Sequence, residues 1–128
     1  AVRGAHMPFY NEMDISLDTF PQTGGTTTCE SLWMGVPVVT LVGPGLFERL
    51  SCSILGNAGL ADLCAGDLDA YLQTAVKLAG DVKRLTDLRQ NLRSTLKASR
   101  LGQTKTFAQD FYRMIDAAVT RSQMQPAA

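Results

Sequence analysis

His6 is the only histidine in the 128-residue chain, and Cys29, Cys52 and Cys64 are its only cysteines. A Ser-His-Asp or Cys-His system within the chain would rest on His6 alone, and a His-rich metal site is excluded. The cysteines are odd in number and form no C-x-x-C, so neither a disulfide framework nor a zinc site is expected. They read as reduced thiols of a cytoplasmic protein, with Cys29 and Cys52 as small buried residues on helices. Net charge is also missing. Twelve Lys and Arg balance twelve Asp and Glu, which removes the electrostatic mark of a nucleic-acid or anionic-membrane binder. No apolar run reaches the ~18–20 residues that cross a bilayer, and Ala1 to Asn11 lacks the apolar stretch of a signal peptide. Against these absences stand 45% apolar and 19% charged residues, a balance that folds rather than stays disordered. One domain is expected over residues 1–122, with a flexible tail over 123–128.

The chain opens its regular structure with Asp14-Ile15-Ser16-Leu17-Asp18, whose alternation suits a short strand. Pro21, Gly24 and Gly25 mark a turn. Thr27 and Glu30 fit a capping box for a helix from about Thr27 to Met34, stopped by Gly35 and Pro37. Val36 to Val42 is almost continuously apolar and β-branched, the pattern of a strand buried on both faces of a parallel sheet. Further helices are expected at about Phe47–Leu55, from an Asp67 cap to Ala79, from an Asp81 cap to Ser99, and at Thr104–Val119. In the fourth of these five helices Leu85, Leu88, Leu92 and Leu96 line one face, while Lys83, Arg84, Arg89 and Arg93 read as a solvated surface. Trp33 reads as core. In the last helix Phe107, Phe111, Met114 and Ile115 form a stripe that suits either the local core or another half of a larger protein. The order gives an α/β class with a parallel sheet. Two strands alone make a poor sheet, so further strands are expected beside them. The chain then reads as part of a larger Rossmann-like domain with an open sheet edge that could pair in a homo-oligomer.

The chemistry concentrates in Pro21 to Glu30, between the carboxyl end of a strand and the amino end of a helix, where open α/β sheets bind ligands. The first helical turn offers unpaired N–H groups and a partial positive charge. Gly24 and Gly25 let a phosphate approach, and Thr26, Thr27 and Thr28 add hydroxyls. Glu30, about one turn on, can accept two hydrogen bonds from a ribose diol. The pattern points to a nucleoside diphosphate held without a metal. A plainer reading stands beside it, in which the run is a turn and cap closed by Glu30. Arg49, beside Glu48 at the same edge, either faces the ligand or forms a surface ion pair.

Asp14-Ile15-Ser16-Leu17-Asp18-Thr19-Phe20-Pro21, followed by Gly24-Gly25-Thr26-Thr27-Thr28-Cys29-Glu30-Ser31-Leu32-Trp33-Met34-Gly35-Val36-Pro37-Val38-Val39-Thr40-Leu41, resembles the C-terminal catalytic region of the O-linked N-acetylglucosamine transferases, in their SPINDLY-like branch. Looser similarity continues to Ile115. The resemblance implies the C-terminal part of the nucleotide-sugar domain of a GT-B glycosyltransferase, often preceded by tetratricopeptide repeats. It implies an inverting, metal-independent enzyme that moves N-acetylglucosamine from UDP-GlcNAc to Ser or Thr of a protein acceptor, with no further cofactor, no nucleic acid and no membrane. Gly24, Gly25, Thr26, Thr27, Thr28 and Glu30 then form the UDP side of the donor site. Animal members carry His at the position of Gly25, and many members carry Asp at that of Glu30. The family's diphosphate-facing lysine matches no Lys here, no catalytic residue is carried over, and the piece alone is expected to be inactive. A catalytically silent interaction module and a GT-B enzyme with another donor sugar are the rival readings.

Overall fold

The computed structural model describes residues 6–124. Among these, three strands form one parallel sheet in the order β1 (Ser16–Leu17), β2 (Val38–Leu41), β3 (Cys64–Ala65). Ser16 and Leu17 pair with Val38 and Val39, and Thr40 and Leu41 pair with Cys64 and Ala65. Successive strand residues point to opposite faces. Val38, Val39 and Thr40 are all buried, so the helices cover both faces of β2, as its composition requires.

Five helices surround the sheet: α1 (Thr26–Trp33), α2 (Leu50–Asn57), α3 (Leu68–Gly80), α4 (Val82–Ala98) and α5 (Thr104–Met124). Short 3-10 turns lie at Met7–Glu12, Leu46–Glu48 and Ala61–Leu63. Asp67 and Asp81 cap α3 and α4 as expected, accepting the amides of Ala70 and Arg84. Leu88, Leu92 and Leu96 of α4 are buried with Leu32, Val38, Val39, Leu55 and Leu63, and Leu85 packs at their margin.

Several expectations need correction. The sheet has a third strand, because Cys64 and Ala65 are too few residues to show a period. The first strand is paired only at Ser16–Leu17, although the Asp18 amide still donates to the Val39 carbonyl. The helix expected at Phe47–Leu55 is broken into a 3-10 turn and α2. Cys29 is exposed rather than buried, while Cys52 and Cys64 are half-buried; all three are free thiols. Trp33 is not core. It is 39% exposed, with the Arg93 guanidinium and the Lys97 ammonium over its ring at 5.2 and 5.3 Å. The basic face of α4 is not simply solvated, since Arg84 pairs with Asp62 and Arg89 and Arg93 bond backbone carbonyls. The stripe of α5 does not enter the local core: Phe107, Phe111, Met114 and Ile115 are all exposed. That helix continues to Met124, and residues 125–128 of the expected tail lie outside the described residues.

Gly35 ends α1 in the left-handed region at φ +82°, and the Val36 amide reaches back to the Ser31 carbonyl. A Cβ there would lie 2.6 Å from the Arg89 carbonyl oxygen, so the end of α1 sits directly on α4.

Candidate functional site

The segment from Asp18 to Thr28 leaves the carboxyl end of β1 and enters α1. Asp18 fixes its start. One carboxylate oxygen accepts the Gly24 amide at 2.9 Å and the other accepts the Thr40 hydroxyl at 2.7 Å. The Asp18 carbonyl accepts the Tyr71 hydroxyl at 2.9 Å. One residue therefore ties β1, β2, α3 and the approach to α1. Thr23 is buried and donates both its amide and its hydroxyl to the Phe47 carbonyl, at 3.1 and 2.9 Å. The buried Ser51 hydroxyl donates to the Gly24 carbonyl at 2.9 Å and lies 2.7 Å from the Thr28 hydroxyl.

These bonds turn the carbonyls and the Thr28 side chain inward. The first backbone amide of α1 to find a carbonyl is that of Cys29, which bonds Gly25 at 3.1 Å. Among the described residues the amides of Gly25, Thr26, Thr27 and Thr28 have no protein acceptor. Thr26 and Thr27 are exposed and their hydroxyls bond no protein group among the described residues. A cavity of about 180 Å³ opens beside this turn, lined by Tyr10, Asp18, Thr19, Gly24, Thr27 and Thr28 together with residues of β1 and Val38 of β2. Gly24 is required by space. A Cβ there would fall 2.5 Å from the Thr28 hydroxyl and 2.8 Å from that of Thr27. At Gly25 a Cβ would meet nothing within 4 Å.

The structure brings Gly24, Gly25, Thr26, Thr27 and Thr28 together around one helix start, but not in equal roles. The Gly24 amide is taken by Asp18 and the Thr28 hydroxyl is committed to Ser51, so the expectation of three free hydroxyls is reduced to Thr26 and Thr27. The Thr27–Glu30 capping box is not formed. Gly25 is the N-cap and no side chain caps the helix. Glu30 is turned instead toward His6, with Oε2 3.0 Å from Nε2. Burial, then the Glu30 charge, raises the Tyr10 phenol above its ordinary range, and the same two causes raise the Cys29 thiol. Arg49 forms no ion pair with Glu48 among the described residues. Glu48 accepts the Gly45 amide, while Arg49 stands exposed at the start of α2.

Sequence reasoning missed four residues. Asp18 stood in view as a carboxylate closing a strand just before two glycines, a position where it can gather orphan donors. Ser51 gives no signal within a helix. His6 and Tyr10 lie in a short turn with no apolar period, so nothing in the pattern places them beside Glu30 and Thr27.

Comparison with known proteins identifies the family and the fold. The model of glycosyl transferase family 41 matches residues 2–111. The probable UDP-N-acetylglucosamine–peptide N-acetylglucosaminyltransferase SPINDLY of Solanum lycopersicum is 49% identical over 96 residues, which is 75% of this chain and 10% of that protein. The SPINDLY protein of Arabidopsis thaliana is 48% identical over 103 residues, covering 80% of this chain and 11% of its own length. A solved mutant of the Thermobaculum terrenum O-GlcNAc transferase superposes with a TM-score of 0.76 at 39% identity, over 90% of this chain and 23% of that one. The chain thus spans about a tenth of the curated relatives it matches, and its three parallel strands and helices correspond to part of a GT-B transferase. On this match of sequence and fold, the chain belongs to glycosyl transferase family 41.

Proposed function

We propose that the chain supplies the diphosphate and ribose side of a nucleotide-sugar donor site. The parent reaction is transfer of N-acetylglucosamine from UDP-GlcNAc to Ser or Thr hydroxyls of proteins, with inversion at the anomeric carbon. The observation that carries the reading is the run of amides from Gly25 to Thr28, free of protein acceptors among the described residues, at a helix start whose Gly24, Thr27 and Thr28 line a cavity beside β1. As the bond from the sugar to the β-phosphate breaks, negative charge grows on the departing UDP. Amides already fixed in direction stabilise that charge without reorganising, and the hydroxyls of Thr26 and Thr27 add donors at the same end of the helix. Glu30, about one turn along, accepts from the ribose diol, and His6 holds its carboxylate on one side.

The nucleotide class rests on these residues. The choice of UDP-GlcNAc rests on the activity for which the relatives are named. No general base is assigned within the chain, which fits a piece that acts with further parts of a longer polypeptide. The outer edges of β1 and β3 are where further strands would add, from that polypeptide or from a second copy. Three free thiols suit a reducing, cytoplasmic setting. Among the described residues no helix is long and apolar enough to cross a membrane.

Titration of the protein with UDP, GDP and inorganic pyrophosphate, followed by backbone amide NMR, tests the reading. UDP should shift the amides of Gly25 to Thr28 and Glu30, and pyrophosphate those of Gly25 to Thr28 alone. Binding of GDP with UDP silent would keep the phosphate cradle and change the donor. An unmoved spectrum with all three at millimolar concentration would overturn the site.

A further inference from the structure

The turn that carries Tyr10 and follows His6 has little of its own to hold it in place. None of the residues in the 3-10 turn Met7–Glu12 is buried, so the hydrophobic core does not anchor it. Tyr10 nevertheless lines the cavity at the start of α1, and its hydroxyl reaches toward the Thr27 carbonyl at 3.5 Å. His6, just ahead of the turn, meets Glu30. A segment without core contacts keeps one position only if polar contacts fix it.

Those contacts come from Arg89, a half-buried residue in the middle of α4. Its guanidinium donates to the carbonyl of Tyr10 at 3.1 Å, to that of Met34 at 3.1 Å, and to that of Met13. Tyr10 and Met13 belong to the turn and its exit, whereas Met34 follows the last residue of α1. Three carbonyls from two segments are thus held by one planar fork, a geometry that a flexible ammonium does not reproduce. The lack of a side chain at Gly35 lets α1 lie close enough to α4 for this contact.

We propose that Arg89 is a positioning residue for the nucleotide site, clamping the His6–Met13 segment to the end of α1 so that His6 stands beside Glu30 on the ribose side of the donor and Tyr10 at the rim of the cavity. This rests on the donor-site reading above. Arg89 does not reach the amides of Gly25 to Thr28, so its loss leaves the phosphate cradle in place and releases only the lip. A ligand that needs the lip then binds through the fraction of molecules in which the segment is still placed. If that fraction falls to about one in ten, the apparent Kd rises roughly tenfold.

Pyrophosphate and UDP separate the two parts of the site. In Arg89→Ala, UDP affinity measured by calorimetry should fall roughly tenfold while pyrophosphate affinity stays within about twofold of the parent value. Amide hydrogen exchange should quicken over residues 7–13 and stay slow over Val38–Leu41. Arg89→Lys, which keeps the charge, should show the same selective loss to a smaller degree and serves if the alanine variant does not fold. Equal weakening of both ligands would make Arg89 a general structural residue and overturn the proposal. So would unchanged UDP affinity beside quickened exchange in the turn. Failure of the parent protein to bind either ligand would instead remove the donor-site reading, and the proposal with it.

Discussion

Removing the Asp18 carboxylate tests whether the cradle is held by this residue or merely lies beside it. In Asp18→Ala the Gly24 amide and the Thr40 hydroxyl both lose their acceptor. Thr40 is fully buried, so its hydroxyl finds no water in exchange. Hydrogen bonds to a charged group contribute ~1.5–3 kcal/mol and an orphaned buried donor costs ~1–3 kcal/mol. Because Gly24 is only half-buried, the lower half of the combined range applies, about 3 kcal/mol. For a chain of this size that is a fall in Tm of about 10 °C. Asp18→Asn keeps an acceptor for Gly24 but turns a donor toward Thr40, so only the Thr40 proton is orphaned and the loss is smaller, about 2 kcal/mol. Nucleotide binding supplies the sharper contrast. A carboxylate beside a diphosphate is repulsive, so on charge alone both substitutions should tighten UDP. If Asp18 orders the turn, Asp18→Asn leaves UDP affinity equal or better, and Asp18→Ala weakens it in spite of the lost charge. Calorimetric titration with UDP and thermal unfolding of both variants give the comparison. An alanine variant that binds UDP more tightly and melts with the parent would refute the account.

Neighbouring threonines should behave oppositely. Thr27→Val should weaken UDP several-fold with Tm nearly unchanged, because the hydroxyl has no protein partner among the described residues, whereas Thr28→Val should cost about 1–2 kcal/mol by breaking the bond to Ser51; chemical denaturation with UDP titration separates them, and equal effects would be inconsistent with the two orientations. Glu30→Ala should weaken UDP while leaving pyrophosphate equal or tighter, and parallel losses for both would remove the ribose role. Burial, then the neighbouring Cys52 and Asp62, pushes the Cys64 thiol up from 9.0 to about 12. The folded state thus keeps a proton that the unfolded chain releases near pH 9, and the associated stability is full below pH 9 and lost as pH rises toward 12. Urea unfolding at pH 8, 9.5 and 10.5 should show a shallower alkaline decline in Cys64→Ala, and identical declines would refute the shift.

What the sequence made legible follows the scale of each signal. Helix α4 was readable because an aspartate cap and a leucine period agree, α3 from its aspartate cap, and β2 because a run of valines has few other places to lie. β3 was not readable, since two residues carry no period and take their conformation from β2. Trp33 misled for a physical reason. Its ring lies at the end of a short helix, where the cations of α4 can cover it, and indole is satisfied by cation–π contact as well as by burial. Within the site, Gly24 to Thr28 were visible because glycine and threonine runs are read locally. Which hydroxyl turns inward was not, because that choice belongs to Ser51, 23 residues beyond Thr28 and on another helix. The Thr27–Glu30 capping box failed on similar grounds, with Glu30 drawn to His6, 24 residues away. The exposed stripe on α5 was legible as amphipathic, but an amphipathic pattern does not name the surface that completes it.

The two ends of α1 are treated in opposite ways, and this links the site to the fold. The carbonyl end carries partial negative charge, and α4 meets it with cations: Arg93 Nε donates to the Trp33 carbonyl at 2.9 Å and Arg89 to the Met34 carbonyl. Each such contact is worth ~0.3–1 kcal/mol toward the helix. At the amino end no acidic side chain sits in the first turn, although Asp or Glu there would stabilise the helix by a similar amount. Asp18 comes close, but its oxygens are occupied by Gly24 and Thr40. An isolated helix of eight residues is too short to persist on its own propensity. Here α1 is held by its buried Leu32, by Thr28 and Ser31, and by the cations behind it. Those contacts let its amino end stay unneutralised, and an anion arriving there meets amides that need no prior partner to be displaced.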